Sequence, residues 1–356
     1  MQKTLKKINI GGDLFSDTTI NYKELDKIFN NFSNHNTPLI LNLEGSINFD
    51  NRFVQRNKSV PLSLDISLLD YISKYNVVVS LANNHSLDFG SFALGKVINL
   101  LKERSISYFG IKDNSDISGA FNHLGNDMEG NELIVAGCGW SHEQVITKNN
   151  NGFSCVEFEY NALKNLYEHI NYHFKSPRIL LYAHYGYEYE YWPLPLHVDL
   201  TRNLIDLGYS AIIGSHTHTI QAFEKWNENP IYHGLGNLFF YSKRIKHSQK
   251  NTFGRLVSLD IDTKIAKAES ILIKQDLLLN TVSFKEDSSK SIEISRNIDH
   301  YSRCYRFIRL RQKNPRPILY PNKKLQNYVK YKLWLIIVIF LGLIRCRALV
   351  KRILSW

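Results

Sequence analysis

Apolar runs of strand length recur along the first two thirds of the chain, and each ends in a polar residue. Ile8-Asn9-Ile10 leads into Gly11-Gly12-Asp13, and Leu39-Ile40-Leu41-Asn42-Leu43 into Glu44. Val77-Val78-Val79-Ser80-Leu81 leads into Ala82-Asn83-Asn84-His85, Ile179-Leu180-Leu181-Tyr182-Ala183 into His184, and Ala211-Ile212-Ile213 into Gly214-Ser215-His216. Runs this short with polar ends predict buried strands. Helical patterns lie between them, at 62–75 before the Val77 strand, 92–104 after it and 196–207 before the Ala211 strand. The alternation predicts an α/β domain, a sheet with helices on its faces, with functional groups gathered at strand ends. The Asn-rich stretch 148–152 predicts a loop, and 281–300 a polar connection.

Charge changes the picture only once it is located. The chain of 356 residues carries a net +11 and is 44% hydrophobic, enough for a sizeable core. From Arg296 onward there are 15 basic residues against one acid, Asp299, a net +14, which leaves −3 for the first 295. The basic charge therefore lies outside the strand-ended body, which argues against nucleic acid as a partner. Cys138, Cys155, Cys304 and Cys346 form no CxxC pair and predict idle thiols in a reducing compartment. Lys3, Lys6 and Lys7 precede too short an apolar stretch for a signal peptide, so the cytoplasmic side is expected for the body.

The polar residues at the strand ends are Asp13, Glu44, Asn84, His85, His184, His216 and His218. Carboxylates, an amide oxygen and imidazoles are the mix that holds divalent ions of borderline softness, manganese, iron or zinc. Each residue alone has a plainer reading: a turn for Asp13 and Asn84, a surface acid for Glu44, a hydrogen-bonded structural histidine for His184. Five successive strand ends delivering one class of ligand favour the metal reading.

Several segments together resemble one family. They are Gly12-Asp13, Asn42-Leu43-Glu44, Leu81-Ala82-Asn83-Asn84-His85 with Asp88 and Gly90, His184-Tyr185-Gly186-Tyr187-Glu188-Tyr189, Gly214-Ser215-His216-Thr217-His218 with Gln221 and Glu224, and Leu235-Gly236-Asn237-Leu238-Phe239-Phe240. In order and content they look like the poly-γ-glutamate capsule-synthesis CapA family, over about residues 5–260. The resemblance implies a calcineurin-like metallophosphoesterase fold, a four-layer αββα sandwich. It implies two divalent ions: Glu44 in the bridging position, Asp13 as first-strand ligand, Asn84, His184 and His216 on one ion and His218 on the other. His85 would sit at the reaction centre without binding metal, with Asp88 fixing its tautomer and Glu188 beside His184 or the substrate. The wider superfamily has Asp-x-His where this chain has Asp13-Leu14-Phe15, so one position lacks a ligand. Its second carboxylate is an Asp after Gly where this chain has Glu44. Thr217 stands where the family often has Pro.

Three segments follow: 1–280 as the metallophosphoesterase-type body, 281–325 as a basic linker or helical connection, and 326–356 as an apolar and basic membrane-associated helix. Residues 333–344 form an uncharged run that would make a helix of about 18 Å, against a hydrocarbon core of about 30 Å. Basic residues flank it, and Trp334 and Trp356 can sit at an interface. The expected partner of this tail is an anionic membrane surface on the cytoplasmic side; a helix packed on the body or a dimer partner, and a complete span, are the other readings. The expected function is a metal-dependent hydrolase or transferase acting on a surface polymer or its precursor, at a phosphoester or amide-type bond. The alternatives are a general phosphoesterase on a small or lipid-linked phosphate, and a non-catalytic scaffold of a polymer-export complex. Tyr185, Tyr187, Tyr189, Tyr191 and Trp192 form an aromatic cluster that either lines a polymer cleft or packs.

Overall fold

Strand-forming segments of the first 109 residues are joined by helices. They are β1 (Lys7–Ser16), β2 (Leu39–Leu43), β3 (Val77–Ser80) and β4 (Ser107–Phe109), with α1 (Lys23–Phe32), α2 (Ile66–Ile72) and α3 (Gly90–Glu103) between them. Then come β5 (Lys112–Asp113), β6 (Phe121–Asn126), β7 (Glu132–Gly139), β8 (Phe153–Ser154), β9 (Val156–Glu157) and α4 (Tyr160–His173). After them run β10 (Arg178–His184), α5 (Pro195–Leu207), β11 (Ala211–Ser215), β12 (Phe223–Trp226), β13 (Asn229–Tyr232) and β14 (Asn237–Tyr241). The last strands are β15 (Asn251–Asp260), β16 (Lys267–Asp276) and β17 (Thr281–Glu286). The computed structural model describes residues 3–19, 22–49, 61–113, 116–145, 152–242, 251–261, 267–276, 281–287, 298, 301–302 and 305.

Among the described residues two large sheets form. The first runs β17-β16-β15-β1-β2-β3-β4, with β14 also on β1; the second runs β12-β13-β11-β10-β7-β6, with β9 on β7. The pairs β1·β2, β2·β3, β7·β10 and β10·β11 are all parallel, so their carboxyl ends point the same way within each sheet. Side chains alternate across a strand. Leu39, Leu41 and Leu43 pack with Leu25, Phe29, Leu69 and Leu94 of α1, α2 and α3, while Ile40 faces the opposite way. There it meets Ile8, Ile10 and Val78 of its own sheet and Val135, Leu180, Tyr182 and Ile213 of the second. Ile179, Leu181 and Ala183 face outward onto Leu163, Leu166 and Ile170 of α4 and Leu204 of α5. The order is helices, sheet, sheet, helices: the four-layer αββα sandwich expected.

The helical readings hold with shorter bounds at 62–75, where only Ile66–Ile72 is helical, capped by the Asp65 carboxylate on the Ser67 amide. The reading of 281–300 as a polar connection, and of 280 as the end of the body, is corrected at its start. Thr281–Glu286 adds an antiparallel strand to β16. Its apolar pair is Val282, buried in the core, and Phe284, packed near Phe32, and both sit in an otherwise polar stretch that hid the alternation. The chain divides into two units, Met1–Pro193 with His197–Ile292, and Leu194–Leu196 with Glu293–Trp356. Apart from 298, 301–302 and 305, everything past 287 lies outside the described residues, the predicted tail helix 326–356 included. Among the described residues no helix is long and apolar enough to cross a membrane.

The entry to the site depends on one close approach. A β-carbon on Gly12 would lie 1.9 Å from the Gly236 carbonyl oxygen, which accepts the Asp13 amide at 3.1 Å. Gly12→Ala is therefore expected to push β1 off β14, with a loss of about 1–3 kcal/mol as for other overpacked positions. A urea melt at unchanged slope would measure it, and a wild-type midpoint would refute it.

Candidate metal centre

Five loops at the carboxyl ends of β1, β2, β3, β10 and β11 meet between the two sheets. Asp13 lies on β1 where its register shifts, and its Oδ1 accepts a hydrogen bond from Asn42 Nδ2 at 2.8 Å. Glu44 follows β2 directly, fully buried, with its amide on the Leu14 carbonyl at 3.1 Å. His184 ends β10, its Nδ1 3.1 Å from Ser215 Oγ and its Nε2 3.0 Å from Asn84 Oδ1. His216 and His218 follow β11 with φ of 89° and 53°. Positive φ at non-glycine residues costs of order 1–3 kcal/mol and persists where the surroundings impose it. Here it turns both imidazoles inward. His218 Nδ1 is 2.8 Å from Asn237 Oδ1, which leaves Nε2 3.7 Å from Glu44 Oε1.

These residues form two overlapping groups. One donor atom each from Glu44, His184 and His216 lie within 4.8 Å of one another, and so do donors from Asp13, Glu44 and His218. Asn84 belongs with the first group through His184, and Glu44 is common to both. Two observations fit divalent ions. His216 is fully buried, and neither ring nitrogen has a hydrogen-bond partner. His197 also lacks such partners, but it is packed among aromatic rings, at right angles to Trp140 at 4.5 Å and Tyr185 at 5.0 Å. Burial lowers the His197 pKa to about 3, so it stays neutral. His216 has no such cage; its ring neighbours are His184 at 4.5 Å and His218 at 6.5 Å. Second, burial pushes the Asp13 carboxyl above its ordinary range, while His218, the Asn42 hydrogen bond and His216 pull it back. A cation would pull in that same direction.

His85 stands beside this centre and belongs to neither group. Its Nδ1 is 2.6 Å from Asp88 Oδ2 and its Nε2 is 3.9 Å from Glu44 Oε1. Asp88 is itself fixed by the Leu62 amide at 2.7 Å. A carboxylate on Nδ1 holds the tautomer with the proton there and turns Nε2 towards Glu44. Glu188 is half-buried on the turn after β10 and is likewise in neither group. Phe15 points into the core against Phe240 at 4.9 Å, so it supplies no donor.

The aromatic cluster divides. Tyr185 is no cleft residue: it is fully buried, stacked on Phe158 at 4.2 Å, with its hydroxyl 3.1 Å from His233 Nδ1. Beyond His233 lie Glu224 at 3.1 Å and then Arg202 at 2.7 Å. Burial raises the Glu224 pKa, but His233 and Arg202 outweigh it and hold the carboxylate below its ordinary range. Tyr187 is half-buried with its hydroxyl 3.1 Å from His142 Nε2, while Tyr189 and Tyr191 are exposed and Tyr189 lies 5.8 Å from His218.

Four supporting residues stand in the quoted motifs without an assigned role: Asn42, Asn83, Ser215 and Asn237. Asn83 donates to Asn42 Oδ1 at 3.0 Å and accepts from the His85 amide at 3.0 Å, tying β2 to the His85 turn. The signal for Asn42 was present, a polar residue inside a buried apolar strand.

Residues 7–242 match the family described as bacterial capsule synthesis protein PGA_cap. The chain is 27% identical over 174 residues to the capsule biosynthesis protein CapA of Bacillus anthracis, covering 46% of this chain and 40% of that protein. It is 24% identical over 267 residues to the PGA biosynthesis protein CapA of Bacillus subtilis (strain 168), covering 69% and 66%. The matches thus span less than two thirds of either relative. Among solved structures it is similar to a 5′-nucleotidase precursor from Thermus thermophilus, with 14% identity and a TM-score of 0.42, over 75% of this chain and 54% of that one.

Proposed function

The chain belongs to the bacterial capsule synthesis protein family PGA_cap, and on that footing we propose that it is a metal-dependent enzyme of surface-polymer synthesis or modification, hydrolysing or transferring at a phosphoester or amide-type bond. One observation carries the metal dependence: two ligand groups share the buried Glu44, and the His216 nitrogens among them have no hydrogen-bond partner. Glu44, Asn84, His184 and His216 would hold one divalent ion, and Asp13, Glu44 and His218 the other. Such ions, when bound, make a water acidic enough to attack at neutral pH and stabilise charge on the attacked group. His85, oriented by Asp88, holds or gives a proton at Nε2 on the side of Glu44. Asn42 fixes the direction of the Asp13 carboxylate, and Asn237 that of the His218 ring. Tyr189, exposed beside His218, offers a ring face to a sugar or peptide unit. The basic tail, we propose further, keeps the body at an anionic membrane surface.

Protein purified without chelator is expected to carry about one to two divalent transition ions per chain, as two-ion hydrolytic sites do. Elemental analysis would read the content. Hydrolysis of a phosphodiester, a phosphomonoester and a γ-linked amide panel should fall on chelation and return with Mn, Fe or Zn. Protein devoid of metal and indifferent to added ions would overturn the proposal.

A further inference from the structure

Glu143 was absent from the sequence reading because nothing near it looks like a ligand motif. It ends a single 3-10 turn, Ser141–Glu143, after β7. Its Oε2 lies 3.5 Å from Nε2 of His216. That separation exceeds the usual length of an N–H···O hydrogen bond. It falls within the spacing of neighbouring donors on one five- or six-coordinate ion: bonds of about 2.0–2.2 Å at angles of about 90–120° put ligand atoms about 2.8–3.8 Å apart.

The turn is held in place from several sides. The Trp140 amide donates to the His184 carbonyl at 3.0 Å, the Ser141 amide to Glu157 Oε1 at 3.0 Å, and the Glu143 amide to the Trp140 carbonyl at 3.1 Å. The Tyr187 hydroxyl meets His142 Nε2 at 3.1 Å. Glu143 is thereby fastened to β10, the strand that carries His184. Its side chain is 19% exposed, and among the described residues its ion-pair neighbour is His216. A long acidic side chain on a surface turn is ordinarily solvated; this one faces inward, onto an imidazole that is fully buried and has no hydrogen-bond partner.

Resting on the divalent-ion reading above, we propose that Glu143 is a further carboxylate donor to the Glu44–Asn84–His184–His216 half of the centre, and makes that half the tighter of the two. The halves then differ in kind. Glu143 stands against His216 and outside the Glu44–His184–His216 group; once its side chain turns onto the ion, that half has five protein donors, two of them carboxylates. The other has three, Asp13, Glu44 and His218, because Phe15 is turned into the core. Loading is sequential, the His184 half first.

The test is Mn²⁺ binding to the full-length protein, followed by calorimetry and by the electron paramagnetic resonance signal of free Mn²⁺. Wild type is expected to show two phases. Glu143→Gln, which keeps shape and removes charge, should weaken the tighter phase by at least the roughly 10–100-fold that loss of an outer-shell partner costs and leave the weaker one unmoved. His216→Ala should remove the tighter phase altogether, and the metal-free melting temperature of Glu143→Gln should match wild type. Glu143→Ala should repeat the result of Glu143→Gln. Wild-type affinity in both phases for Glu143→Gln would overturn the assignment while leaving the divalent-ion reading intact. A wild-type protein that takes up no Mn²⁺ would overturn both.

Discussion

Exchange of Glu44 for alanine is expected to empty both halves of the centre at once, the largest single effect on ion binding available in this protein. Glu44 is the one residue common to the two ligand groups, it is fully buried, and its backbone is fixed by Leu14 where β2 ends. His218→Ala removes a donor from one group only, and His216→Ala from the other. The loss for Glu44→Ala should exceed the roughly 10–100-fold that follows removal of an outer-shell partner, and should appear in every phase of the isotherm. Stability reports the same linkage. At a free-ion concentration of 100 times Kd, a site that binds only the folded state stabilises it by about 2.7 kcal/mol. Wild type should show that rise in melting temperature on adding Mn²⁺, and Glu44→Ala should show none. Without ions the variant should melt no lower than wild type, because Asp13 then loses a second buried carboxylate as neighbour. Glu44→Ala that still binds two equivalents at wild-type affinity would refute the shared-ligand geometry.

How far this centre could be read from the chain alone depends on where each residue's position is decided. Asp13, Glu44, Asn84, His184 and His216 were legible because a buried strand is a strong local pattern, and a polar residue closing it is placed at the sheet's carboxyl end by topology. Asn42 was legible in the same way, as a polar residue inside Leu39–Leu43, yet its task, aiming Asp13, appears only when β1 and β2 pair. Tyr185 was open to two readings, cleft lining or packing, and packing holds: a residue directly after a central strand end is still covered, here by Phe158 and His197. Glu143 was not legible at all. Its approach to His216, 73 positions away in the chain, is decided by the turn that fastens Trp140 and Ser141 to neighbouring strands. The α/β alternation followed from short buried apolar runs with helices between, the four layers only from the family resemblance, and β17 was missed because two apolar residues do not outweigh a polar stretch.

His85 separates chemistry from ion binding. Its backbone amide is held by Asn83, its Nδ1 by Asp88, and its Nε2 reaches within 3.9 Å of Glu44 without joining either ligand group. A side chain so placed can pass a proton to or from whatever lies against Glu44, and loss of a positioned general acid or base costs about 10²–10⁴ in rate. His85→Asn is therefore expected to lower turnover by that factor while elemental analysis finds the wild-type metal content. Asp88→Asn should cost less, about 10–100-fold as for other outer partners of an imidazole. It should also move the alkaline limb of the pH–rate profile to lower pH, since the carboxylate that favours the charged, proton-donating ring is gone. A purely structural role for the pair would instead lower the melting temperature and the turnover of both variants together, with no change in the shape of the profile. Loss of metal from His85→Asn as complete as from His216→Ala would show that this imidazole is a ligand, and that the proton must be handled by another group.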